Sequence, residues 1–146
     1  MREVRKQVLR ADDVLFIGGQ SMGGRIATHI AAADPQLPIR GLILLGYGDY
    51  LAYQSTLDRL VEQGTHFVRW GAVLPGQPGV SIGCDNFHGG QLVGEHLYSV
   101  GRRRVAFLGD ASNRYPEFFA RYRGCGVALH DLGVAMDPGL QVDAES

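Results

Sequence analysis

Apolar runs of a few residues alternate along this chain with segments whose apolar positions recur at helical spacing. Val14–Ile17 predicts a strand. Met22, Ile26, Ile30 and Ala33 then follow one helical face, and Asp34-Pro35 stops that helix. Gly41–Leu45 (GLILL) is apolar throughout, as in a strand covered on both faces. Tyr53, Leu57, Leu60 and Val61 mark the next helix, with Gly64 as its C-terminal cap. His66–Trp70 predicts a strand, Pro75–Gly79 a loop, and Val80–Cys84 another strand.

Asp85 or Asn86 can cap the helix that follows. Val93, Leu97 and Val100 are expected on its inner face, and Gly101 ends it. Val105–Leu108 predicts a strand. Phe118, Tyr122, Cys125, Leu129 and Leu132 give a last helix stopped by Gly133, and Leu140–Val142 begins one more strand. Strand and helix alternate throughout. The expected fold is therefore α/β: a three-layer sandwich with a mostly parallel sheet of five or six strands and helices on both faces, Rossmann-like or flavodoxin-like in outline.

Length and charge narrow the partners. At 146 residues the chain is expected to be one domain with a real core. Its 14 basic residues stand against 15 acidic ones, which gives no net pull toward nucleic acid or an anionic membrane. No apolar run approaches the roughly 18 residues needed to span a bilayer. The charged start, MREVRKQVLRADD, lacks the apolar region of a signal peptide. Cys84 and Cys125 form no CxxC pair and read as buried free thiols in a reducing cytoplasm. Neither a cofactor nor a metal is expected. Arg102-Arg103-Arg104 follows a helix end, where cations are favoured, and reads as a solvated terminus.

Candidate chemistry collects where strands end, the place where doubly wound sheets bind ligands. Asp49, Arg69-Trp70, Asp85-Asn86 and Asp110–Arg114 all lie there, Asn113 among the last group. A sugar needs bidentate donors and acceptors plus an aromatic face, and these residue types supply both. Some also have a plainer role: Asp85 as a helix cap and Trp70 as a core residue, just as Arg121, on the last helix, reads plainly as a solvated surface arginine.

Four segments from Gly41 onward resemble one family. GLILLGYGD, FVRWG, DNFHGGQLVGEHL followed by RRRVAFLGD, and RYRGCGVALHDLGV are similar to parts of the effector-binding domain of lac-repressor-type transcription regulators. The resemblance implies a small-molecule sensor, with a saccharide as the effector and no catalysis. It places the family's effector-contacting arginine on Arg121 and the aspartate before the lobe-crossing helix on Asp85. It also implies a partial domain: the second lobe is truncated, no DNA-binding headpiece precedes the sheet, and direct nucleic-acid binding is not expected. A homodimer is compatible with it.

The first forty residues resemble a different family, the small α/β-hydrolases. Gly19-Gln20-Ser21-Met22-Gly23 is the G-x-S-x-G turn between a strand and a helix. There the serine is the nucleophile and the following backbone N–H half of an oxyanion hole. The order Ser, Asp, His is met by Ser21, Asp110 and His130, although His130 lies on the last helix. The other reading of this turn is a glycine-rich anion site opening a helix. Two resemblances meeting at GLILLGYG suggest a chimera joined there; the alternatives are one divergent regulator whose first strand–helix unit converged on the elbow, and a folded chimera or fragment with no activity of its own.

Overall fold

The computed structural model describes residues 13–46 and 50–143. Asp49 lies outside the described residues. Elements follow in the order β1 (Leu15–Gln20), α1 (Met22–Ala33), β2 (Ile39–Leu45), α2 (Tyr50–Glu62), β3 (His66–Trp70), β4 (Val80–Ile82), α3 (Asn86–Ser99), β5 (Phe107–Leu108), α4 (Pro116–Asp131), a 3-10 turn (Pro138–Leu140) and β6 (Gln141–Val142). This is a mixed α/β fold with parallel pairing, as the alternation predicts. Its six strands fall into a four-stranded sheet, ordered β1-β2-β3-β4, and a β5-β6 pair.

The chain divides into two compact units. The first holds β1, α1, β2, most of α2, β3 and the start of β4. Here β1 pairs with β2 in parallel, Phe16 opposite Gly41 through Gln20 opposite Leu45, and β2 pairs with β3 in the same sense. The strand of the hydrolase-like segment thus shares a sheet with the GLILL strand. Alternation then sorts the side chains. Ile17, Leu42, Leu44 and Phe67 are buried on one face, together with Ala27, Ala31 and Ala32 of α1 and Leu57 and Leu60 of α2. Small residues on α1 let it lie close to β1: a Cβ at Gly19 would run into the backbone of Gly23.

The second unit holds the first residues of α2, Gly71–Leu74 and the chain from Ile82 onward. Its centre is the packing of α3 against α4. Glycines make that contact. A Cβ at Gly90 would strike the Arg121 carbonyl, and one at Gly124 would strike the Phe87 carbonyl. The small β5–β6 ladder pairs Phe107 with Gln141 and Leu108 with Val142.

Three helices end where glycine permits a left-handed turn. Gly64, Gly101 and Gly133 have φ of 71°, 82° and 79°. Behind each, an N–H reaches back into the last turn: Thr65 to Leu60 O, Arg102 to Leu97 O and Val134 to Leu129 O, at 2.8–2.9 Å.

Several expectations are corrected. The inner face of α3 is its glycines, while Val93 and Val100 are 54% and 53% exposed. Two backbones in near contact leave no room there for valine. Ile43 and Leu45 of the all-apolar β2 are exposed rather than covered on both faces. Cys84 is exposed and only Cys125 is buried. Val80–Cys84 and Val105–Leu108 yield shorter strands, because pairing partners run out, whereas β1 extends through Gly18-Gly19-Gln20. No helix among the described residues is long and apolar enough to cross a membrane.

Candidate functional site

At the end of β4 the chain turns through Gly83-Cys84 into α3. Asp85 caps that helix: its Oδ1 accepts the His88 N–H at 2.9 Å. Asn86, the first helical residue, is held by its Nδ2 donating to Cys84 O at 3.2 Å. Its Oδ1 then accepts Arg121 Nε from α4 at 2.9 Å. The glycine contact between α3 and α4 makes this reach possible, since it brings helices distant in sequence within one side chain's length.

Asp85, Asn86 and Arg121 line one cavity of about 500 Å3. Its walls are apolar: Val93 and Leu97 of α3, Phe107 of β5, Cys125 of α4, and Met136. Phe107 is held edge-on to Tyr122 at 5.2 Å between ring centres. Arg121 lies 5.6 Å from the Phe118 ring centre. Among the described residues, the two Nη groups of Arg121 have no hydrogen-bond partner. Burial pushes the Cys125 thiol up, so it stays protonated at neutral pH and acts as an apolar wall.

A second hollow, of about 450 Å3, shares Cys84, Asp85 and Asn86 with the first. Pro116 and Glu117 of α4 close it. Glu117 Oε1 accepts the Ala72 N–H at 2.8 Å, which ties the Gly71–Leu74 loop to the start of α4. The Asp85-Asn86 corner is therefore a ridge with a hollow on either side. An acceptor, an amide and a guanidinium around an apolar floor suit a neutral polyhydroxylated molecule.

The remaining sequence candidates do not join this group. Asn113 is exposed in the turn before α4 and lines neither hollow. Trp70 belongs to the first unit, half-exposed on its sheet, and so is not a core residue. Its neighbour Arg69 is turned inward, buried, and donates from Nη2 to Ser81 Oγ at 2.8 Å. Phe107, Met136 and Glu117 were missed. Only contact between distant segments brings them in.

The hydrolase-like turn has its own geometry. Ser21 sits between β1 and α1 with φ 50° and ψ −116°, and it is the one non-glycine residue at positive φ among the described residues. Its N–H donates to Leu45 O at 2.9 Å, its carbonyl accepts from Gly24, and its side chain caps nothing. Such strain costs on the order of 1–3 kcal/mol and collects at functional sites. Asp110 and His130 do not hold one another. Asp110 Oδ1 accepts the Ser112 N–H at 2.7 Å, and hydrogen bonds with the Ser112 side chain and backbone hold its carboxyl below the usual range. His130 Nδ1 instead lies 3.6 Å from Asp131, with both side chains exposed. Among the described residues no group of three His, Cys, Asp or Glu side chains could hold a metal ion.

Comparison with known proteins gives two kinds of likeness. A family model described as an alpha/beta hydrolase domain matches residues 1–60. No curated protein matches the chain. Among solved structures, a complex of the transcriptional regulator CelR with cellobiose is similar with a TM-score of 0.67 and 17% identity, over 97% of this chain and 54% of that one. CcpA of Lactococcus lactis, a transcription regulator, is similar with a TM-score of 0.65 and 15% identity, over 90% and 59%. A sugar ABC-transport substrate-binding protein from Bordetella parapertussis is similar with a TM-score of 0.67 and 12% identity, over 95% and 56%. The chain spans about half the length of these structures. Its fold is that of LacI-family regulators and sugar-binding transport proteins. The CelR match takes in 97% of the chain, so most of the hydrolase-like segment falls inside that fold.

Proposed function

We propose that this chain is a small-molecule effector-binding module of a sugar-responsive, LacI-type regulator, with a saccharide as its ligand. The observation that carries this reading is the convergence of Asp85, Asn86 and Arg121 on one cavity, with Arg121 fixed by its 2.9 Å bond to Asn86. In this reading the Nη groups of Arg121 donate to two ligand hydroxyls and Asp85 accepts from another. Phe107 offers the ring face on which a pyranose rests. Asn86 is a positioning residue for the guanidinium. The fold likeness to regulators and transport proteins of sugars supports the ligand class. In the same reading the module is one α/β domain, and its hydrolase-like start is a recombined strand–helix unit joined at GLILLGYG.

The test is thermal unfolding against a panel of mono- and disaccharides at millimolar concentration. The expected result is a rise in melting temperature for at least one sugar, lost in Arg121→Ala. A flat response across the panel, confirmed by titration calorimetry, overturns the reading.

A second reading rests on the strained Ser21 and on the family match over residues 1–60. There the chain is a serine hydrolase with Ser21 as nucleophile and the Met22 N–H in its oxyanion hole. Labelling of Ser21 by a fluorophosphonate probe, with p-nitrophenyl ester turnover lost in Ser21→Ala, would support it. An unlabelled Ser21 removes it.

A further inference from the structure

The four-stranded sheet buries one face and leaves the other open. On the open face lie Phe16 of β1, Ile43 and Leu45 of β2, Val68 and Trp70 of β3, and Val80 of β4, each between 39 and 59% exposed. The rest of that face is Gly18, Gln20, Ile39, Gly41, His66 and Ile82, with no acid, lysine or arginine; on β4 the side is fixed by Ser81, which turns the other way to meet Arg69. Parallel strands of this composition are normally covered on both sides. An uncharged apolar face has no electrostatic complement for an acidic, basic or anionic-membrane partner. What it matches is another face like itself.

Its relief points the same way. At the amino-end rim of the sheet a hollow of about 510 Å3 opens, walled on the open face by Phe16, Ile43 and Val68 and reaching under the rim to Phe67 and to Val61 and Gly64 at the end of α2. At Gly41 the Phe16 ring lies over the backbone, 3.2 Å from where a Cβ would stand, so the ring forms one wall of the hollow. At the opposite end of β3 the Trp70 ring projects, and it lines no part of that hollow. A two-fold axis lying between two such sheets, across the strands, sets the carboxyl end of one copy over the amino end of the other. Each Trp70 then meets the partner's hollow. Knob and hole at opposite ends of one strand are the self-complementarity that a two-fold contact requires.

We propose that the open sheet face of the first unit is a self-association surface, on which two copies of this chain pack face to face with Trp70 of each in the amino-end hollow of the other. Strands of six, seven, five and three residues, at about 3.3 Å per residue and about 4.8 Å apart, span roughly 330 Å2 in projection, and their upright, half-exposed side chains raise the accessible surface to on the order of 500 Å2. Two copies bury roughly 1,000 Å2 in total, at the lower edge of specific interfaces, so the dimer dissociates on dilution through the micromolar range.

Trp70 is the sole tryptophan of the chain, so its fluorescence reads this surface directly. Sedimentation velocity and tryptophan emission are measured on the wild-type chain from about 0.5 to 200 μM, the range that brackets a micromolar constant. The mass is expected to climb from one chain to two while the emission shifts to the blue, with a shared midpoint. Ile43→Glu and Val68→Glu, both at exposed positions and checked for fold by circular dichroism, hold the mass at one chain and the emission red-shifted. A wild-type mass of one chain at every concentration overturns the proposal, and that measurement needs no variant. A two-chain mass that persists in both folded variants, or a mass change without an emission change, overturns it as well.

Discussion

At the scale of single residues, Ser21 and the two cysteines give the sharpest tests. The φ of 50° at Ser21 belongs to glycine's territory. Ser21→Gly should therefore stabilise the chain by about 1 kcal/mol in urea unfolding, whereas Ser21→Ala should keep the strain. An equal effect of the two would mean that the turn relaxes without cost. The cysteines differ in exposure, so Ellman's reagent should react at once with one thiol, Cys84, and with Cys125 only in denaturant. Cys125 also sets an alkaline limit. Its folded pKa lies above the ordinary 9.0 because burial disfavours the thiolate. Between the two values the unfolded chain has lost a proton that the folded chain keeps, so stability falls as pH rises past about 9. Urea midpoints at pH 8 and pH 10 should drop more for wild type than for Cys125→Ala. The glycine-flanked serine and the capping Asp85 were both legible in the sequence, because each acts within a few residues of itself. The Asn86–Arg121 bond was not, since it joins residues 35 apart and depends on how two helices meet.

Among the elements, the α3–α4 contact decides whether the cavity exists. Gly90→Ala would press a methyl group into the Arg121 carbonyl, which is backbone and cannot swing aside. The cost should be about 1–3 kcal/mol, seen as a lower thermal midpoint, because the helices must separate. Separation also lengthens the reach from Arg121 to Asn86, so any sugar response should weaken in the same variant. Gly89→Ala, where an added Cβ meets nothing, is the control. A Gly90→Ala chain as stable as that control would contradict the close packing. The order and type of elements were readable from periodicity and from Gly64, Gly101 and Gly133, since caps and alternation are local signals. The inner face of α3 was not. A reading that looks for apolar side chains sees Val93 and Val100, while the contact is made by residues with no side chain to see. The GLILL run asks for cover on both faces, and the structure corrects that: Ile43 and Leu45 are exposed in the first unit, on the face the proposal above gives to a second copy.

For the whole molecule, the two proposed surfaces share no residue. The sheet face uses Phe16, Ile43, Leu45, Val68, Trp70 and Val80, and the ligand cavity is walled from Cys84 onward. Effects at separate sites without common partners are expected to add. A ligand at a hundred times its dissociation constant stabilises by about 2.7 kcal/mol, which moves the midpoint of a chain of this size by several degrees. That shift should survive in Ile43→Glu, which cannot pair. Conversely, Arg121→Ala should lose the sugar response yet keep a midpoint that rises with protein concentration, as mass action requires of a dimer. Unfolding is followed by circular dichroism at two protein concentrations, with and without sugar, for wild type and both variants. If Ile43→Glu abolishes the sugar shift while remaining folded, ligand and partner act on one shared conformational equilibrium, and the two surfaces are coupled rather than independent.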